Sequence, residues 1–291
     1  MLNFSPVVSG VKFKNPILLA SGTASFGLEL SNIYDLSILG GIVFKTITLQ
    51  ERKGNEPPRI VETIGGMLNS IGLANPGIRK FKDEILPQVL NIVQTNIVVS
   101  VAGMSVGEFR EIVEEASTID GISFIELNLS CPNVEKGGIT FDSNEDNVRE
   151  VVRSVKKVSK KPFWVKLSPN TPNIVNNALI AQSEGADGIT AINTILGMKI
   201  DIKTGKPVFK NIFAGYSGPA IKPIALRHVY EICRAVSIPV IGVGGITSYE
   251  DVLEFMFAGA SLVQIGTSNF FDPLLPVRIV EKIEEAKRNQ I

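Results

Sequence analysis

A closed (β/α)8 TIM barrel, an α/β fold with extended loops over the C-terminal face of its strands, is the architecture the sequence predicts. Three observations predict it: eight short apolar runs, amphipathic helical patterns between most of them, and polar or glycine residues where the runs end. The 291 residues contain no Pro/Gly/Ser-rich linker, charge block or low-complexity stretch, so the chain reads as a single domain over 1–291. At that length a fold buries roughly 75% of its unfolded surface and needs no disulfide staple.

The runs are 16–21, 41–48, 96–102, 122–128, 162–167, 188–193, 238–243 and 262–266. Each is rich in Val, Ile, Leu and Phe, as parallel strands covered on both faces require. Helical patterns fall at 106–119, 145–158, 172–184, 223–236 and 248–257, the last opening on Thr247 or Ser248 as N-cap and closing near Gly259. An open doubly wound sheet satisfies the same strand count.

The run ends carry the chemistry. They supply Ser21-Gly22-Thr23, Lys45-Thr46, Asn128, Lys166, Asn193-Thr194, Gly244-Gly245 and Gly266-Thr267, which a barrel would gather on one face. Two connections, 50–77 and 195–218, are longer than a crossover needs and follow strands, which predicts lids or binding loops on that face. The second reads as a hairpin around Thr204-Gly205.

Gly242-Val243-Gly244-Gly245 before a helix, with Gly266-Thr267-Ser268 after the next strand, resembles the phosphate cradle that barrels build after strands seven and eight. The spacing is not G-x-G-x-x-G, which argues against a Rossmann dinucleotide site. Lys45 and Lys166 interrupt apolar strands; snorkelling explains such a lysine, but two at one mouth suit an anionic ligand. Asn69, Asn128, Asn133 and Asn193 are singly turn or cap residues, yet together they offer donors and acceptors to a planar, amide-rich ligand. Of the two cysteines, Cys233 reads as core, and Cys131 stands among Asn128, Ser130 and Asn133, just before Pro132. The only histidine, His228, falls mid-helix, so Cys131 leads as a base.

The segments NLSCPN (128–133), MLNSIGLANPG (67–77), KLSPN (166–170) and SGPAIKP (217–223), with the two glycine turns, make the chain similar to class 1 dihydroorotate dehydrogenases over almost its whole length. The resemblance implies an FMN barrel of pyrimidine biosynthesis. In it a cysteine, here Cys131, takes the C5 proton of (S)-dihydroorotate while C6 delivers hydride to the flavin. It implies FMN contacts at Ser21, Lys45, Thr46, Ser100, Asn128, Lys166, Ile192, Gly218, Gly244, Gly245, Gly266 and Thr267. Ser100 stands where many relatives have asparagine. It implies substrate contacts at Lys45, Asn69, Ser70, Ile71, Gly72, Leu73, Asn128, Asn133, Asn193 and Thr194, and no metal.

The stretch from Glu56 to Thr63 and Met67-Leu68-Asn69 look like the NAD-linked 1B type, which pairs a homodimeric core with an FAD and [2Fe–2S] subunit in a heterotetramer. The fumarate-linked 1A homodimer is the alternative, ahead of a phosphate-sugar aldolase or isomerase barrel and a non-catalytic barrel. Two thiols in no C-x-x-C pairing exclude a local cluster cage and fit a reducing compartment. With 29 basic and 29 acidic residues, no basic face for nucleic acid is expected. No signal peptide or membrane span is read, and the expected location is the cytoplasm.

Overall fold

The computed structural model describes residues 2–130, 132–133 and 139–289. Its centre is a barrel of eight parallel strands: β1 (Ile17–Leu19), β2 (Gly41–Ile47), β3 (Asn96–Val101), β4 (Phe124–Asn128), β5 (Phe163–Leu167), β6 (Gly188–Ala191), β7 (Val240–Val243) and β8 (Leu262–Ile265). Each strand pairs with the next in sequence, and β8 returns to β1 through Val263–Ile17 and Ile265–Leu19. That last pairing is the closure that counting strands leaves open.

Alternation along the strands sorts side chains between two apolar layers. Phe44, Ile47, Val99, Ile125, Leu127 and Val165 face outward and pack with helix residues such as Phe109, Ile112, Val151 and Val155. Leu18, Val43, Val98, Phe124, Trp164, Ile241 and Leu262 face inward and form a separate core with Val8 and Phe13. This inner core is sealed from below by an N-terminal hairpin, Val7–Val8 against Val11–Lys12, which turns through Ser9 (φ 47°) and Gly10 (φ 82°). Phe13 reaches up from it to Phe124 at 5.7 Å and Trp164 at 6.4 Å between ring centroids. Above this plug the interior turns polar, with Ser100, Glu126, Lys166, Thr190 and Gln264 all buried.

Helix starts follow their caps. Ser105, Asn144, Asn173 and Ser248 each accept a hydrogen bond from an amide in the first turn. Thus the helix expected from 172 begins after Asn173, at Ile174–Ser183, and Ser248 is the cap of Tyr249–Phe257. Helical segments also cover 77–90, interrupted by a π-helical turn at Phe81–Ile85, and Leu275–Asn289.

The two long connections are more regular than loops. They combine into one antiparallel sheet ordered Ile195–Met198, Phe213–Ser217, Gly66–Asn69, Ile60–Thr63. The hairpin at Thr204-Gly205 forms as expected, between Ile200–Asp201 and Lys206–Pro207. None of the described helices is long and apolar enough to cross a membrane.

Candidate active site

A cavity of about 920 Å³ opens at the C-terminal ends of the barrel strands, within the ~300–1,000 Å³ usual for ligand sites. The antiparallel sheet supplies one wall through Met67, Asn69, Leu196 and Phe213–Gly215. Ser21, Lys45, Thr46, Asn128, Lys166, Ile192, Gly218, Gly244, Gly245, Gly266 and Thr267 line it, as do Asn69–Leu73, Asn193 and Thr194. Ser100 does not: it is 0% exposed behind Thr46, whose hydroxyl it meets at 2.9 Å. A serine is too short to pass Thr46, so its place is in support of that residue. Cys131 lies outside the described residues, and Asn133 falls on the short strand Pro132–Asn133 paired with Ile139–Thr140.

At one end the wall is built of glycine turns. Gly218, Gly244 and Gly245 have φ of 118°, 136° and 74°. A Cβ on Gly245 would sit 2.7 Å from the Lys222 amide nitrogen, and one on Gly244 would sit 2.7 Å from Ala225 Cβ. Packing therefore demands these two. Gly266 differs, because among the described residues its Cβ would meet only Ala20 Cβ, at an ordinary 3.5 Å. The missing side chain there leaves cavity space rather than relieving a clash. Side chains stitch the turns together: Thr267 Oγ1 donates to Ser217 Oγ at 2.8 Å, and Ser268 Oγ to the Ile246 carbonyl at 2.5 Å. Beneath them Lys222 Nζ binds Asp251 at 2.6 Å and Glu254 at 2.9 Å. Although burial opposes ionisation of Asp251, hydrogen bonds from Lys222 and Thr247 hold its carboxyl below the ordinary range.

Two lysines line the cavity. The β2 register shifts between Phe44 and Ile47, freeing the Lys45 amide to donate to the Ser25 carbonyl at 2.9 Å. This bulge presents both Lys45 and Thr46 to the cavity, which a regular pleat would not. Burial pushes the Lys45 ammonium below the ordinary lysine range; Arg59 adds to the fall and Glu29 opposes it. Lys166, 6% exposed, has Glu126 Oε1 at 3.6 Å.

The cavity also carries an amide cluster. Asn193 Nδ2 donates to Ser130 Oγ at 3.0 Å and Asn128 Oδ1 at 3.3 Å, and its Oδ1 accepts from the Thr194 amide at 2.7 Å. Asn69 Nδ2 donates to the Gly215 carbonyl at 3.2 Å, tying the sheet wall together. Sequence reasoning missed the supports of this end. Asn55 donates to Ser70, and Asn170 links Ser168 to the Thr194 carbonyl. Buried Asp142 accepts from the Ser168 amide at 2.7 Å, just after 139–140; burial raises its carboxyl despite that bond. The available signal was polar residues inside apolar runs or directly after them, as at Glu126, Thr190 and Gln264. His228 is buried against Arg227 and Glu231 and does not line the cavity. Cys233 is half-buried on the same helix, its thiol pushed up to about 11 by burial.

The mouth of the closed barrel thus brings the glycine turns, the two lysines and the amide cluster to one cavity. Residues 4–286 match the family model described as dihydroorotate dehydrogenase. The chain is 50% identical to a protein of Geobacillus sp. (strain WCH70) over 274 residues, covering 94% of this chain and 87% of that one. It is 49% identical to one of Thermoanaerobacter pseudethanolicus over 284 residues, 98% of this chain and 93% of the relative. A Bacillus pumilus protein is 48% identical over 283 residues, 97% and 90% of the two chains. All three are named dihydroorotate dehydrogenase B (NAD(+)), catalytic subunit. This chain belongs to the dihydroorotate dehydrogenase family.

Proposed function

We propose that this chain is the FMN-binding catalytic subunit of an NAD-linked dihydroorotate dehydrogenase, oxidising (S)-dihydroorotate to orotate in pyrimidine synthesis. The observation that carries the reading is the convergence of the glycine turns, Lys45, Lys166 and the Asn128–Asn193–Ser130 cluster on one cavity. The residues fit FMN. The space kept by Gly266 beside Gly244-Gly245 suits a phosphate, and Lys166 suits the polar edge of a flavin ring. FMN when bound supplies the hydride acceptor.

The chain supplies position, charge and a proton acceptor. Lys45 is a cation for the substrate carboxylate, and its partial burial strengthens that attraction. Asn69, Asn128 and Asn193 orient the ring amides, with Asn193 fixed by Thr194 and Ser130 before substrate arrives. Residues 70–73, on the loop after Gly66–Asn69, line the cavity and would shield the ring from water. The Sγ of Cys131 takes the C5 proton, an assignment that rests on the family's NLSCPN segment. A free thiol titrates near pKa 8.5, so a base working at neutral pH needs local tuning.

Electrons then pass to NAD+ through a partner subunit carrying FAD and a [2Fe–2S] cluster, docked on a homodimer of this single-domain barrel. The names of the relatives favour NAD+ over fumarate. The test is anaerobic mixing of the FMN-loaded protein with dihydroorotate, followed by NAD+ or fumarate, with and without co-purified protein. Bleaching by dihydroorotate, and reoxidation by NAD+ only with the partner, are expected. A flavin that stays oxidised refutes the substrate, and reoxidation by fumarate alone refutes the NAD-linked type.

A further inference from the structure

Glu126 lies inside the barrel on β4, 0% exposed, directly above the Phe13–Phe124–Trp164 plug. Its two oxygens have different surroundings. Oε2 accepts from Thr190 Oγ1 at 3.0 Å on β6 and from Gln264 Nε2 at 2.9 Å on β8. Among the described residues Oε1 has no hydrogen-bond partner, and it faces Lys166 Nζ at 3.6 Å on β5.

That asymmetry is costly. Burying a carboxylate and an ammonium costs several kcal/mol each, and such a pair is weak support for stability. A carboxylate serving only as counter-ion would close to a hydrogen bond of about 2.8 Å. Here the Thr190 and Gln264 donors hold it short of that contact. Lys166 is therefore neutralised from below without spending its N–H donors, which stay available at the cavity floor.

We infer that Glu126 is a positioning residue: through Lys166 it fixes an ammonium on the cavity that would hold the flavin and offsets its charge, setting the balance between oxidised and reduced cofactor. This rests on the FMN reading above. A positive charge beside a flavin favours the reduced, more anionic form, so an offsetting carboxylate restrains that preference. Lys45, on the same cavity, is left to act on the substrate.

The test is Glu126→Gln, which keeps the shape and an acceptor for Thr190 and Gln264 but removes the charge. At saturating FMN, the midpoint potential of the bound flavin and the affinity for sulfite as a flavin adduct are measured for the holoenzyme. Reduced FMN is expected to gain about tenfold over oxidised FMN, a rise of about 30 mV for a two-electron couple, with tighter sulfite binding. In a Lys166→Met background the same substitution is expected to add a smaller shift, because only the direct field of the carboxylate is then lost and not its hold on the ammonium. An unchanged potential overturns the inference, as does an equal rise with and without Lys166. If Glu126→Gln yields no folded protein, Thr190→Val serves. Losing one clamp lets the carboxylate lean on Lys166, and the potential should fall; no change there is equally fatal. Wild-type protein that takes up no FMN sinks the functional reading instead.

Discussion

Gly266→Ala separates a glycine kept for a ligand from one kept for the fold. Among the described residues a methyl there would touch only Ala20 Cβ at 3.5 Å, and the residue is not among those with positive φ. Folding should therefore tolerate it, and the stiffer unfolded chain should add roughly 0.4–1 kcal/mol of stability. The same methyl projects into cavity space assigned to the cofactor phosphate. Overpacking costs about 1–3 kcal/mol, which is roughly 5- to 150-fold in the FMN dissociation constant. Thermal unfolding of the apoprotein and quenching of FMN fluorescence on titration give the two readouts. The paired control is Gly245→Ala, where φ is 74° and the Cβ would meet the Lys222 nitrogen at 2.7 Å. That variant should lose stability by about 1–3 kcal/mol even without ligand. Unchanged FMN affinity in a fully stable Gly266→Ala protein would refute the placement of the phosphate. A large loss of apoprotein stability would refute the reading that the glycine is not needed for packing.

Lys45→Met should weaken orotate binding by roughly 10- to 150-fold, the ~1.5–3 kcal/mol of a charged hydrogen bond, as titrated through the flavin spectrum. Because the folded state lowers the Lys45 pKa, the unfolded chain binds more protons between that value and the ordinary lysine range. Apoprotein stability should therefore rise with pH through that window, and Lys45→Met should flatten this part of a denaturation-versus-pH profile. Orotate affinity of the wild type should fall over the same window as the ammonium is lost; a flat profile argues against Lys45 as the carboxylate partner. Cys131→Ser should slow single-turnover flavin reduction by about 10²–10⁴-fold at pH 7, with partial recovery at high pH. Unchanged reduction removes Cys131 from the chemistry. Phe13→Ala should cost about 3–5 kcal/mol and lower the melting temperature by roughly 6–20 °C. Since Phe13 belongs to the plug and not the cavity, FMN affinity in that variant should hold.

Much of the cavity was legible because barrel topology turns sequence position into spatial position. Lys45, Lys166 and Asn193 are far apart in the chain, yet each lies near the C-terminal end of a parallel strand or just after it, so all reach one face. The family segments then supplied roles for them. What periodicity could not carry was any feature of register or of short paired segments. Ile60–Thr63 and Gly66–Asn69 are only 4 residues each; the first pairs with the second, and the second pairs in turn with Phe213–Ser217 of the other long connection. The bulge that turns Lys45 and Thr46 to the cavity leaves no mark in the apolar run that contains it. Ser100 lies near the end of the third run as Lys45 and Lys166 lie near the ends of theirs, and only its burial behind Thr46 distinguishes it.

Glu126 shows the same limit more sharply and indicates how the site is divided. In the run 122–128 it reads as one polar residue near a strand end, two positions before the recognisable Asn128. Pairing sets Asn128 opposite Lys166 and Glu126 opposite Trp164, one step lower, so the acid lies beneath the lysine and above the aromatic plug. The cavity floor is thus continuous with the barrel's own core, held by β4, β5, β6 and β8 together. The opposite wall belongs to a small sheet hung on two connections, anchored by side-chain bonds such as Asn69 to Gly215. Changes in the wall can then alter which ring is accepted while leaving the electrostatics of the floor intact. Substitutions in the floor must move both the cofactor and the barrel, and their effects on stability and on flavin chemistry will be coupled.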